Sequence, residues 1–191
     1  MQEIIKAKDY YKNKKKILNG IKNGLVFIYP TDTIYGIGCD ATNDRAVTKI
    51  REAKKRDKKP FSVMAPSKEW ISRNCTVNNL AKKWIKKLPG LYTLILKLKN
   101  RKAIARNVNL GSRKIGVRIP RNWSALIAKE LNKPIISTSA NITGETYMTS
   151  LKDLNHFVKE RVDLIIYEGV KKARPSKIVD LTGEKAIVIN R

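Results

Sequence analysis

Hydroxyls, one carboxylate, one amide and a few cations are the groups in this chain whose types and spacing could do chemistry, and they recur where apolar runs stop. Thr31, Asp32, Thr33 and Tyr35 follow the run 25–29 and Pro30, with Gly36 and Gly38 just beyond, while Ser137, Ser139 and Asn141 sit where a second apolar stretch ends. Lys54 and Arg56 close an amphipathic segment, and Arg118 lies between β-branched neighbours in I-G-V-R-I-P. An arginine in such a strand is costly unless an anion meets it. His156 is the single histidine and Cys39 and Cys75 the only cysteines, far apart and in unlike contexts, so no zinc spacing arises. No P-loop and no G-x-S-x-G elbow is present. Hydroxyls, an amide and strong cations suit substrate positioning and charge stabilisation more than covalent attack. Plainer readings stand beside this one. Ser, Thr and Asn are ordinary turn-formers, and Lys54 and Arg56 at a helix C-terminus also complement the helix dipole.

The elements that must carry these groups alternate between helical and extended patterns. Asp9 is expected to cap a helix over 10–22, whose apolar positions Tyr11, Ile17, Leu18 and Ile21 share a face. The run 25–29 reads as a strand covered on both faces, with a ligand-facing turn after it and a second short strand over 37–40. Asn43 is placed to cap a helix with Ala46, Val47, Ile50 and Ala53 on one side. Strands are expected over 61–65, 91–98, 115–120, 135–138, 162–167, 177–181 and 185–190, and helices over 68–73, 79–87, 123–131 and 151–161. The basic, glycine-bearing stretch 100–114 reads as a loop and a candidate flexible lid.

Composition narrows the class. At 191 residues, with 42% hydrophobic content, the expectation is a single domain spanning residues 1–191. No apolar run approaches the roughly 20 residues of a membrane helix, and the first ten residues lack a signal-peptide core. A cytoplasmic protein without a membrane partner is therefore expected. Lys and Arg number 41 against 16 Asp and Glu, a formal charge of +25. Such an excess fits polyanions, a nucleotide triphosphate or nucleic acid, or simply lysines on solvated helix faces.

Six motifs in one order, Y-P-T-D-T-I-Y-G-I-G-C-D-A, K-K-R-D-K-K-P, P-G-L-Y-T-L-I-L, V-R-I-P, S-T-S-A-N-I-T-G and P-S-K-I-V-D-L, resemble the YrdC/TsaC family of threonylcarbamoyl-AMP synthases over nearly the whole chain. The resemblance implies an α/β (α+β) fold: a twisted, mixed, largely antiparallel sheet with helices around it and a large basic concave cavity. It implies a nucleotidyltransferase that converts L-threonine, bicarbonate and ATP, with Mg²⁺, to threonylcarbamoyl-AMP and pyrophosphate, and a product that feeds the threonylcarbamoyladenosine modification of tRNA. Its implied partners are those small molecules and the tRNA-modification machinery, with tRNA or other RNA as a further partner. By resemblance, Lys54 and Arg56 are the catalytic cations and also meet ATP. Ser139, Asn141, Tyr147, Arg191 and Lys59 fall on the ATP side, Lys59 in a segment one residue shorter than the family's. Thr33, Arg118, Ser137 and Ser176 fall on the threonine pocket, and no residue maps to a protein-held metal. Met64 stands where members often carry a histidine, Leu91 and Lys177 where a proline and a threonine are frequent. The alternative from the charge alone is a non-catalytic RNA-binding, translation-associated module using the same basic cavity.

Overall fold

In the computed structural model, which describes residues 3–189, the apolar runs pair into one mixed sheet of ten strands among the described residues. In chain order these are β1 (Glu3–Lys6), β2 (Phe27–Pro30), β3 (Tyr35–Gly38), β4 (Ser62–Met64), β5 (Tyr92–Lys97), β6 (Lys114–Arg118), β7 (Ile135–Ser139), β8 (Leu164–Tyr167), β9 (Lys177–Asp180) and β10 (Ile187–Ile189). The helices are α1 (Tyr10–Lys22), α2 (Asp44–Ala53), α3 (Lys68–Asn74), α4 (Asn79–Lys86), α5 (Arg106–Asn109), α6 (Ala125–Leu131) and α7 (His156–Lys159). Across the sheet the strands run β1-β8-β2-β3-β7-β4-β6-β5-β9-β10. Parallel pairs (β8 with β1 and β2, β4 with β6, β5 with β9) are interspersed among antiparallel ones.

Alternation of side chains along the strands distributes the core to both faces. Phe27, Tyr29, Met64, Ile135, Leu164 and Ile166 pack with Tyr10, Ile17 and Ile21 of α1 and Ile127, Ala128 and Leu131 of α6. Their strand neighbours Ile28, Val63, Ile136 and Ile165 join Ala46, Val47, Ile50 and Ala53 of α2, with α3 and α4, in the other cluster. Both faces are thus covered, which is why β2 reads as a continuous apolar run. Met64, which stands where the resemblance leads one to expect a histidine, is fully buried in the first cluster. At Gly38 an added Cβ would meet the Ile136 carbonyl oxygen at 2.6 Å, so the close approach of β3 to the strand bearing Ser137 and Ser139 requires glycine there.

Several expectations change. The helix foreseen over 151–161 is a short 3-10 turn, Leu151–Asp153, capped by Ser150 and Asp153, and then a separate α7 restarted by Asn155, whose side chain accepts from Phe157 N at 2.9 Å. The stretch 100–114 is not an unsupported loop: it holds a 3-10 turn, Arg101–Ala103, and α5. The buried Asn109 side chain donates to the Ser112 and Lys114 carbonyls at 2.7 and 3.1 Å, and Arg51 of α2 donates to Asn107 O at 2.7 Å. Asp9 supplies no side-chain cap, because a 3-10 turn (Ala7–Asp9) runs directly into α1. Strand β1 was not foreseen; a short edge strand with one half-buried residue leaves little periodic signal.

Candidate functional site

Where β2, β6 and β7 end, the sheet opens into a cavity of about 200 Å³. Thr31 and Thr33 line it from the turn after β2, Arg118 from the end of β6, and Ser137, Thr138 and Ser139 from β7. Arg56, Tyr147 and Ser176 reach it from loops. Seven of the side chains that the resemblance assigns to the substrates, Thr33, Arg56, Arg118, Ser137, Ser139, Tyr147 and Ser176, therefore meet around one cavity. Their elements meet because Gly36 of β3 pairs with Ser139 of β7, while Ser62 of β4 pairs with Ser137 of β7 on one side and Gly116 of β6 on the other.

The amino-terminal turn is tightly wired. The Thr31 hydroxyl donates to Ile34 O at 2.7 Å and lies 2.9 Å from that of Thr33, and both residues are buried. Arg118 Nη2 donates to Asp32 Oδ1 at 2.5 Å, and Asp32 Oδ2 accepts from Arg121 N at 2.8 Å. Asp32 is thus the anion that Arg118 required, a role the sequence did not reveal because the two lie 86 residues apart. Arg118 Nε remains buried without a partner among the described residues. Ser176, also buried, has its hydroxyl 2.8 Å from that of Thr93.

Lys54 takes a different position from the one expected. It does not line the cavity; it is buried behind it, where its ammonium donates to Ser139 O at 2.5 Å, Asn141 O at 2.7 Å and Asn141 Oδ1 at 3.1 Å. Three donors meet three acceptors, so the ammonium is spent on two main-chain carbonyls and the Asn141 side chain at and just beyond the end of β7. Burial, aided by the nearby Arg56 charge, pulls its pKa from 10.5 to about 7. Asn141 likewise sits outside the lining: its Oδ1 also accepts from the Ser139 hydroxyl at 2.6 Å, and its amide donates to Glu145 O at 2.7 Å. Arg56 donates to Lys59 O at 3.1 Å and Pro60 O at 2.6 Å, and it shares the Phe61 ring with Arg51, the guanidinium carbons standing 5.0 and 4.6 Å from its centre. Lys59 is exposed, away from the cavity wall, and enters this arrangement through its carbonyl. The Tyr147 hydroxyl donates to Ala173 O at 3.4 Å. Arg191 lies outside the described residues.

Ser62 and Thr93 complete the wall and were missed. The available signal was a hydroxyl inside each apolar strand run, S in F-S-V-M and T in L-Y-T-L-I-L. Gly116 faces both: an added Cβ would collide with the Ser62 hydroxyl oxygen and lie 3.3 Å from Thr93. No carboxylate lines the cavity, and no group of three or more His, Cys, Asp or Glu among the described residues could hold a metal. No helix among the described residues is long and apolar enough to cross a membrane.

Comparison with known proteins decides the family. The family profile of Sua5, YciO and YrdC proteins, which carries the description telomere recombination, matches residues 19–191. The chain belongs to the Sua5/YciO/YrdC family. A putative threonylcarbamoyl-AMP synthase of Methanocaldococcus jannaschii is 38% identical over 186 residues, covering 92% of this chain and 86% of the relative. The Escherichia coli K12 protein YciO, called uncharacterized, is 32% identical over 88% of this chain and 84% of its own length. Among solved structures, a doubly substituted variant of P. abyssi Sua5 superposes with a TM-score of 0.88 at 28% identity over 99% of this chain, which spans only 60% of that chain. P. abyssi Sua5 in complex with L-threonine gives a TM-score of 0.84 at 27% identity, covering 98% of this chain and 56% of that one. The mixed α/β fold expected for the family is therefore the fold observed.

Proposed function

We propose that this chain is a threonylcarbamoyl-AMP synthase, joining L-threonine, bicarbonate and ATP and releasing pyrophosphate. The observation that carries the reading is the meeting of Arg118, Thr33, Ser137 and Ser176 with Arg56, Ser139 and Tyr147 in one cavity that holds no nucleophile activated by a base. Related proteins named as the synthase, and a Sua5 structure holding threonine, support it.

In this proposal the threonine carboxylate pairs with the Arg118 guanidinium, whose fork suits a carboxylate. Thr33, Ser137 and Ser176 orient the amine and side chain. Bicarbonate gives up its hydroxyl to become carbon dioxide, the amine attacks that carbon to form an N–C bond, and the proton the amine loses leaves with the hydroxyl as water. The carbamate oxygen then attacks the α-phosphorus of ATP, forming an O–P bond as the bond to pyrophosphate breaks in line. Neither step needs a covalent enzyme intermediate; alignment and neutralisation of phosphate oxygens carry such transfers. Arg56 supplies positive charge at the phosphates, with Ser139 and Tyr147 on the nucleotide side. Lys54 and Asn141 act from behind the wall by holding the β7 end in place. Because the wall lacks carboxylates, Mg²⁺ enters as part of the MgATP substrate, held by triphosphate oxygens and water. The product would pass to the machinery that modifies tRNA.

Pure protein mixed with ATP, threonine and bicarbonate should release pyrophosphate only when all three are present. Release that ignores threonine would refute the assignment.

A further inference from the structure

We infer that Thr31 and Asp32, neither singled out as a ligand contact, fix the hydrogen-bond polarity of the cavity, so that Thr33 offers it an acceptor and Arg118 a donor. This pairing selects a ligand with one amine and one carboxylate. The inference rests on the amino-acid reading above and concerns what sets its selectivity.

The argument for Thr33 is a proton count. Thr31 has one hydroxyl proton and gives it to Ile34 O at 2.7 Å. Its oxygen accepts from Thr33 N at 3.1 Å. In the 2.9 Å contact between the two hydroxyls, Thr31 has no proton left, so the Thr33 hydroxyl is the donor. What Thr33 turns to the cavity is then lone-pair density. Such an oxygen receives an amine N–H and repels a carboxylate.

Arg118 is fixed in the opposite sense. Asp32 holds its Nη2 and is itself held by Arg121 N, with the Arg118 and Asp32 side chains 7% and 8% exposed. The guanidinium therefore cannot swing, and its buried Nε–H is left without an acceptor. The part of Arg118 that lines the cavity is thereby presented in one orientation, and as a donor. Asp32 takes up one donor of the guanidinium, so a ligand carboxylate must meet what the rest of that group offers to the cavity. Both polar poles are set before any ligand arrives, which lowers the ordering cost of binding. Thr31 and Asp32 are positioning residues: each acts through its neighbour.

Calorimetric titration of the full chain tests this with four probes: ATP, L-threonine, threoninamide, which lacks the carboxylate, and 3-hydroxybutyrate, which lacks the amine. Wild-type protein should prefer threonine to each analogue by about tenfold or more. Thr31→Val should erase the preference over 3-hydroxybutyrate and keep that over threoninamide. Asp32→Asn should change only the preference over threoninamide and keep that over 3-hydroxybutyrate. Thr33→Ala should match Thr31→Val, and Thr31→Ser should match wild type. ATP affinity, unchanged within about twofold, shows that each variant is folded. Variants that weaken threonine binding while keeping both preferences, or that lose both together, overturn the polarity inference alone. Wild-type protein that binds ATP but not threonine overturns the amino-acid reading beneath it.

Discussion

The two hydroxyl-rich strand ends that face each other across the cavity are built in opposite ways. After β2, the side chains hold one another: Thr31 anchors Thr33, and Asp32 anchors Arg118. At the end of β7, a cation behind the wall holds the backbone, with Lys54 gripping Ser139 O and Asn141 O while Ser137, Thr138 and Ser139 stay half-buried. The first arrangement suits a small ligand read atom by atom. The second suits a larger, charged one, for which the line of the chain matters more than any single hydroxyl. On this view the amino acid is recognised by side chains fixed in advance, and the nucleotide by a main-chain edge fixed in advance.

The strongest way to break the comparison is at Arg118. Arg118→Met leaves Asp32 buried with one backbone donor, so unfolding free energy should drop by about 3 kcal/mol, and threonine affinity should fall roughly a hundredfold with ATP affinity little changed. Adding Asp32→Asn should recover much of the stability and none of the affinity; denaturant unfolding and calorimetry read the two effects separately. Next comes Lys54→Met, which removes the donor from three buried acceptors. ATP affinity should fall by about tenfold or more while threonine affinity alone holds; equal loss for both ligands would mean the two strand ends are one unit. Ser139→Ala is milder, since its hydroxyl donates only to Asn141 Oδ1, and a change of about threefold or less confined to ATP is expected.

The last effect is a pH slope. Lys54 has its pKa lowered by burial to about 7 in the folded protein against 10.5 unfolded. Between those values the unfolded chain binds more protons, so this group makes stability rise with pH from about 7 to about 10.5. Urea midpoints of wild type compared with Lys54→Met over that window should differ in slope, with the variant flatter. A variant slope as steep as wild type would assign the dependence to other groups.

Much of this was legible in the chain. The apolar run ending at Pro30, the Asn43 cap, which accepts from Ala46 N at 3.1 Å, and the amphipathic face of α2 are local patterns, and they hold. The cost of an arginine inside a strand also implied a partner for Arg118. Its identity was hidden, because Asp32 resembles any turn-forming aspartate until β2 and β6 are brought together. Lys54 was read by type as a ligand cation. Its depth, set by where α2 ends against β7, turns it to the protein backbone instead. Ser62 and Thr93 were hidden by the apolar runs that carry them, and the stretch 100–114 looked loose because its order comes from Arg51 and Asn109 rather than from periodicity.

Residue order alone determined most of the strands and longer helices and which hydroxyls and cations stand at their ends, because these follow from local propensity and alternation. Only the tertiary structure decided which of those polar groups face the cavity and which are used up behind it. Burial and hydrogen-bond partners depend on segments as far apart as Asp32 and Arg118 or Lys54 and Asn141, and no local pattern records such a meeting.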